Sequence, residues 1–255
     1  MSKPLKVLMI GNSFSICVLK QMPQVAANLG CDLHLVSLYI GGCSLEKHWN
    51  NCQTPDEKPY RVTDSDHNDV EGNIPEWLAK EPWDIVTIQQ ASHFSWRPET
   101  FEPFAANLIG LIRKLAPTAE IVVQETWSYT PYDHRLADWG ITPEKMYEEL
   151  HKTYFDFAKG YGFRVIPTGT AVQRYRETLP VDYSDGTFGN GPCGNPETGD
   201  NFHLNKEGEY LQALVWTGKL FGVDVSQCTY TPDFGEDFAS IRAPLMRKIA
   251  AEVLR

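Results

Sequence analysis

Residues 5–15 read LKVLMIGNSFS. Apolar side chains fill positions 7–10 without polar alternation. That pattern predicts a strand buried on both faces, as a parallel sheet between two helical layers requires. Gly11, Asn12 and Ser13 interrupt the run, and the apolar spacing over 16–29 predicts a helix. The same strand–corner–helix unit returns along the chain. Further strands are predicted at 33–40, 84–89, 120–126 and 163–167. Helices are predicted at 74–80, 101–115, 143–159, 170–179, 206–221 and 241–254. Pro75 falls in the first turn of one of these, and Thr142 precedes another as an N-cap. Five such alternations imply an α/β fold, a three-layer α/β/α sandwich around a central parallel five-stranded sheet.

The chain has 255 residues, enough for one domain over 1–255 with a sizeable core. Two stretches stand outside the alternation. Residues 51–70 are polar, with Pro55 and Pro59, and predict an excursion loop. Residues 180–202 are rich in Gly, Asp, Asn and Pro and predict a long irregular loop, a common home for function. Lys and Arg number 23 against 33 Asp and Glu, a net charge of −10. An acidic chain is a poor ligand for phosphate backbones or anionic lipid, so neither nucleic acid nor membrane is expected as a partner. No stretch reaches the roughly 18 consecutive apolar residues of a membrane helix. The start reads as that of a cytoplasmic protein, and a chain exported after losing a signal peptide would begin in the same way. The six cysteines show no CxxC pair and no metal-ligand spacing with His. They predict free thiols and no metal, with Cys43 and Cys52 able to pair in an oxidising compartment.

In parallel α/β folds ligands sit beyond the carboxyl ends of the strands, so the residues after each strand carry the information. After the first come Gly11, Asn12, Ser13, Phe14 and Ser15. Either serine could simply cap the following helix. Ser13 could instead present its hydroxyl at the corner, beside backbone N–H groups able to hold an oxyanion. After the second come Gly41 and Gly42, a turn that could leave an N–H uncovered. After the third come Gln89 and Gln90, amides ending a buried strand, where each needs a partner. After the fourth come Trp127 and Tyr129, either core or a platform for a sugar face. Near residue 200, Asp200 stands three positions before His203. That spacing lets a carboxylate reach the imidazole Nδ1 and fix the tautomer in which Nε2 acts as a base.

These blocks resemble the SGNH/GDSL hydrolase superfamily: VLMIGNSFS at 7–15, LYIGGCSLEKHW at 38–49, DIVTIQQASH at 84–93 and DNFHLNKEGEY at 200–210. The sequence is similar to a bacterial subgroup with this pattern. The resemblance implies a flavodoxin-like SGNH hydrolase fold with no cofactor. It implies Ser13 as nucleophile, His203 as base and Asp200 as the acid that orients it. The oxyanion donors would be the Ser13 and Gly42 N–H groups with the Gln90 amide, or His93 in a gapless register. Asn12, where the usual block has Asp, is expected with Gln89, Trp127 and Tyr129 to face the substrate. The expected activity is hydrolysis of short acyl esters, a carbohydrate O-acetyl group above all, since Trp49, Trp96, Trp127 and Tyr129 offer aromatic surfaces and no apolar lid is evident. The expected partner is a small-molecule or carbohydrate ester, the expected state a monomer or small homo-oligomer. A catalytically silent carbohydrate binder is the alternative. A nucleotide-binding fold is disfavoured by the lack of a G-x-G-x-x-G or Lys-Ser/Thr phosphate loop.

Overall fold

Val7, Leu8, Met9 and Ile10 are wholly buried in β1 (Leu5–Gly11), the middle strand of a seven-stranded sheet. The computed structural model describes residues 3–55, 59–178, 192–195 and 199–255. After β1 come α1 (Ser13–Ile16), α2 (Met22–Asn28), β2 (Leu33–Tyr39) and α3 (Leu45–Gln53). The hairpin β3 (Tyr60–Asp64) and β4 (Asp69–Gly72) follows, then α4 (Ile74–Lys80), β5 (Ile85–Ile88), α5 (Phe104–Leu115) and β6 (Glu120–Gln124). Next are α6 (His134–Trp139), α7 (Pro143–Tyr161), β7 (Arg164–Ile166) and α8 (Thr168–Thr178). The described chain closes with β8 (Cys193–Asn195), β9 (Asp200–Leu204), α9 (Lys206–Phe221) and α10 (Ala243–Val253).

The strand order is β4-β3-β2-β1-β5-β6-β7, and the five strands from β2 to β7 run parallel as expected. Helices α2, α8, α9 and α10 pack together on one face, α3, α4 and α5 on the other. Helix α7 joins the second layer through Tyr154 and Phe157, whose rings meet Phe101. Helix α9 is buried almost all round, from Gly208 to Gly218, which fits its place between α2, α8 and α10. Among the described residues no helix is long and apolar enough to cross a membrane.

Two sequence expectations need correction. The 51–70 stretch is not only loop. Its second half forms β3, which pairs antiparallel with β2 and in turn with β4. An edge hairpin needs few apolar residues: Tyr60 and Val62 point inward while the whole of β4 stays at least partly exposed. The helix expected over 16–29 is broken into α1, a 3-10 turn at Cys17–Lys20 and α2. Pro23 lacks the N–H that a helix interior needs, so the helix restarts with this proline in its first turn. All six cysteines are free thiols. Cys43 precedes α3 and Cys52 lies near its far end, roughly 12 Å away at 1.5 Å per helical residue. A disulfide needs Cα atoms within about 7 Å, so this pair cannot close without unwinding α3. The loop expected at 180–202 lies, for 180–191 and 196–198, outside the described residues; its last part belongs to strand β9.

Candidate active site

The chain leaves β1 through α2 on one face, and leaves β5 through α5 on the other. The connections diverge between these adjacent strands, which opens a crevice at their carboxyl ends. The corner after β1 stands there. Asn12 is its N-cap: its Oδ1 accepts the Phe14 N–H at 3.0 Å. Such a cap is worth about 1 kcal/mol. With the cap supplied by Asn12, neither serine is needed for it. Ser15 is buried and donates back to the Asn12 carbonyl at 3.1 Å. A Cβ at Gly11 would run into that hydroxyl, so only glycine lets the corner close this tightly. Ser13 remains partly exposed, with its Oγ free to meet a partner from another element.

That partner is His203 on β9. Its Nε2 lies 2.7 Å from Ser13 Oγ, across 190 residues of chain. Its Nδ1 lies 2.7 Å from Asp200 Oδ2. The other carboxylate oxygen accepts the backbone N–H groups of Phe202 and His203, each at 3.0 Å. Burial alone would raise the Asp200 carboxyl. The two N–H bonds and the imidazole outweigh it and hold the group below its ordinary value. The nucleophile, base and acid expected from sequence are therefore brought together, in hydrogen-bonded series. Such a series can move a proton from a hydroxyl to an imidazole whose charge a carboxylate balances.

The second corner also meets the first. Ile40, Gly41, Gly42 and Cys43 form a turn closed by the Cys43 N–H on the Ile40 carbonyl at 3.2 Å. Gly42 has φ +60°, and a Cβ there would meet nothing within 4 Å. Gly42 is exposed, and its N–H is not the one that closes the turn.

The remaining expected residues sit elsewhere than the sequence suggested. Gln90 is fully buried and both ends of its amide are committed. Its Oε1 accepts the Leu45 and Ala91 N–H groups, and its Nε2 donates to Thr100 O at 2.9 Å. It clamps the start of α3 to the segment after β5 and has no spare donor directed at an oxyanion. Gln89 is buried and donates through Nε2 to Asn12 Oδ1 at 2.7 Å. Asn12 is itself only 1% exposed, and both ends of its amide are engaged. Neither faces a substrate. Trp127 and Tyr129 are wholly buried and offer no sugar platform. Trp127 stacks on Phe14 with centroids 4.2 Å apart, and Tyr129 shares a hydrogen bond with Ser92. His93 is half-buried; burial first, then the charge of Arg135, lowers its pKa. Arg135 lies over the Tyr129 and Phe202 rings and forms a two-pronged ion pair with Asp133.

Two site-supporting residues were not singled out from the sequence. Gln124 and Gln212 both donate to the Phe14 carbonyl, at 2.7 and 2.9 Å, and so pin the turn that carries Ser13. Gln124 ends a buried strand, the same signal that drew attention to Gln89 and Gln90. Among the described residues no group of three or more His, Cys, Asp or Glu could hold a metal ion.

The architecture has counterparts of known structure. The chain is similar to a DUF4886 family protein from Bacteroides uniformis, with 26% identity, 99% of this chain and 95% of that one covered, and a TM-score of 0.84. It is also similar to a candidate SGNH hydrolase from Slackia heliotrinireducens, with 20% identity, coverage of 86% and 100%, and a TM-score of 0.58. A candidate GDSL-like lipase from Parabacteroides merdae shares 13% identity with coverage of 85% and 95% and a TM-score of 0.54. The last two likenesses establish the SGNH hydrolase fold. No curated protein matches the sequence. The family described as a domain of unknown function, DUF4886, matches residues 6–252, nearly the whole of the chain that builds the sheet and its two corners, and the protein belongs to that family.

Proposed function

We propose that the protein is a serine ester hydrolase acting through Ser13, His203 and Asp200. The observation that carries this reading is the pair of 2.7 Å contacts that links Ser13 Oγ to His203 Nε2 and His203 Nδ1 to Asp200. In the first half-reaction His203 takes the Ser13 proton as Oγ attacks the ester carbonyl. Asp200 holds the imidazole in the required tautomer and balances its charge. The Ser13 and Gly42 N–H groups receive the oxyanion. This assignment drops Gln90, whose amide is occupied. His203 then hands the proton to the departing alkoxide, and water releases the acyl group by the reverse path.

The substrate reading is an ester of a short acyl group, with a carbohydrate as its alcohol. With Trp127 and Tyr129 buried, the aromatic support for a sugar rests on Trp49 and Trp96. Both are partly exposed, and both follow strands that flank β1. A serine-directed fluorophosphonate should modify the peptide containing Ser13, as read by mass spectrometry, and His203→Ala should abolish the adduct. No adduct on the native protein would return the crevice to a silent binding role. Initial rates on acetylated xylan, acetylated sialic acid and p-nitrophenyl esters of rising length test the substrate. A preference for eight carbons or more would overturn the short-acyl reading.

A further inference from the structure

Asn12 does more than cap a helix. Its Nδ2 donates to the Cys43 carbonyl at 3.0 Å, while its Oδ1 accepts the Phe14 N–H at 3.0 Å. One side-chain amide thus joins the corner bearing Ser13 to the turn bearing Gly42. Its orientation is fixed, because a backbone N–H and a backbone carbonyl stand at its two ends and neither can reverse its role. Gln89 Nε2 adds a third contact on Oδ1 at 2.7 Å. The whole assembly is buried, so water does not compete for these bonds.

We infer that Asn12 is a positioning residue of the oxyanion site: it sets the separation of the Ser13 and Gly42 N–H groups. The inference rests on the hydrolase reading above. It also gives the Asn-for-Asp departure in the first block a physical meaning. An aspartate could accept the Phe14 N–H equally well. It has no hydrogen to give Cys43, and would set an anionic oxygen against that carbonyl. The Gly42 turn would then lose its tie to the nucleophile corner, and the two donors would no longer be held for a transition state.

Asn12→Asp and Asn12→Ser test this, since each keeps a cap for Phe14 and neither restores the bond to Cys43. With p-nitrophenyl acetate, kcat should fall about tenfold to hundredfold, a displaced donor costing up to the 10²–10³ of a lost one, while KM changes by less than about twofold. The second readout is the rate ratio between an oxygen ester and its thiono analogue. A C=S sulfur accepts hydrogen bonds poorly, so a sound oxyanion site favours oxygen. That ratio should drop in both variants, which loss of stability alone would not produce. Gln89→Met, which removes the bond to Asn12 and no bond to either backbone turn, should move kcat and the ratio in the same direction by less, and decides the matter should the Asn12 variants not fold. Wild-type protein that hydrolyses esters and takes the fluorophosphonate on Ser13, with kcat and the ratio unchanged in the variants, overturns the positioning role alone. Wild-type protein that does neither overturns the hydrolase reading and this inference with it.

Discussion

The indole Nε1 of Trp127 donates to the carbonyl of Phe202 at 2.7 Å, one residue before the catalytic candidate His203. Trp127 is also stacked on Phe14, one residue after Ser13. A single buried ring therefore braces both sides of the Ser13–His203 contact, one through a hydrogen bond and the other through ring contact. Trp127→Phe keeps much of the stacking and removes the bond. Leaving a carbonyl unsatisfied costs about 1–3 kcal/mol, which should appear as a loss of several degrees in Tm. Ester turnover should fall about tenfold in kcat as β9 loosens, each misplaced ångström being costly. KM for a carbohydrate ester should hold. A large rise in KM with kcat unchanged would mean that the ring meets substrate after all.

The parallel strands were legible because Val7, Ile10, Val86 and Val122 stand in short apolar runs that no amphipathic helix would contain. The Ser13, Asp200 and His203 series was legible because each member ends or follows a punctuated segment. The β3–β4 hairpin was not, since Tyr60, Val62 and Thr63 alone are buried in it and the rest reads as polar loop. Its tight return is built by Asp64, whose Oδ1 accepts the Asp66 and Asn68 N–H groups, an interaction that composition does not reveal. Trp127 and Gln90 were misplaced for another reason. Position after a strand locates a residue near the crevice, but not whether it faces the opening or the core. For a buried amide or indole, the partner decides, and that partner comes from a distant part of the chain.

Asp200→Asn addresses the acid. The variant amide still offers Oδ1 to the Phe202 and His203 N–H groups, so β9 should keep its shape. Its NH₂ group would face His203 Nδ1, forcing the tautomer that leaves Nε2 protonated and unable to accept from Ser13. We expect kcat to drop roughly 10³–10⁴-fold at neutral pH. Steady-state rates together with a circular dichroism spectrum check this. A variant with wild-type turnover would remove Asp200 from the mechanism.

The cysteines offer a test of the packing. Burial pushes the Cys43 and Cys52 thiols each up to about 12, and Cys17 rises further. Cys17, Cys43, Cys193 and Cys228 are buried, while Cys31 and Cys52 are partly exposed. At pH 8 iodoacetamide should label the buried four only after denaturation, since both access and thiolate are lacking in the fold. Incubation in an oxidising glutathione buffer should produce no Cys43–Cys52 disulfide in the native protein. Peptide mapping that finds this crosslink would show that α3 unwinds readily.

Away from the crevice, Glu125 supplies a pH-dependent tie. Its carboxylate is fully buried and accepts the Thr170 N–H at 2.7 Å, so it serves the first turn of α8. It also meets His151 Nδ1 at 2.8 Å from α7. That hydrogen bond raises the His151 pKa against the opposing effect of partial burial, and the Glu125 charge adds to it. A folded pKa above the unfolded one means that folding favours the proton. The stabilisation is complete below the ordinary histidine value of about 6.5 and fades as pH climbs through the folded value. The imidazole is 40% exposed, so solvent screens the pair and the effect is modest. His151→Gln keeps a neutral donor for Glu125 at every pH. The Tm difference between wild type and this variant should be largest near pH 6 and shrink steadily toward pH 9. Thermal melts across that range, monitored by circular dichroism, measure it directly. A difference that stays flat, or widens with rising pH, would show that Glu125 is served equally well by the neutral ring and that the charge on His151 plays no part in holding α7 to α8.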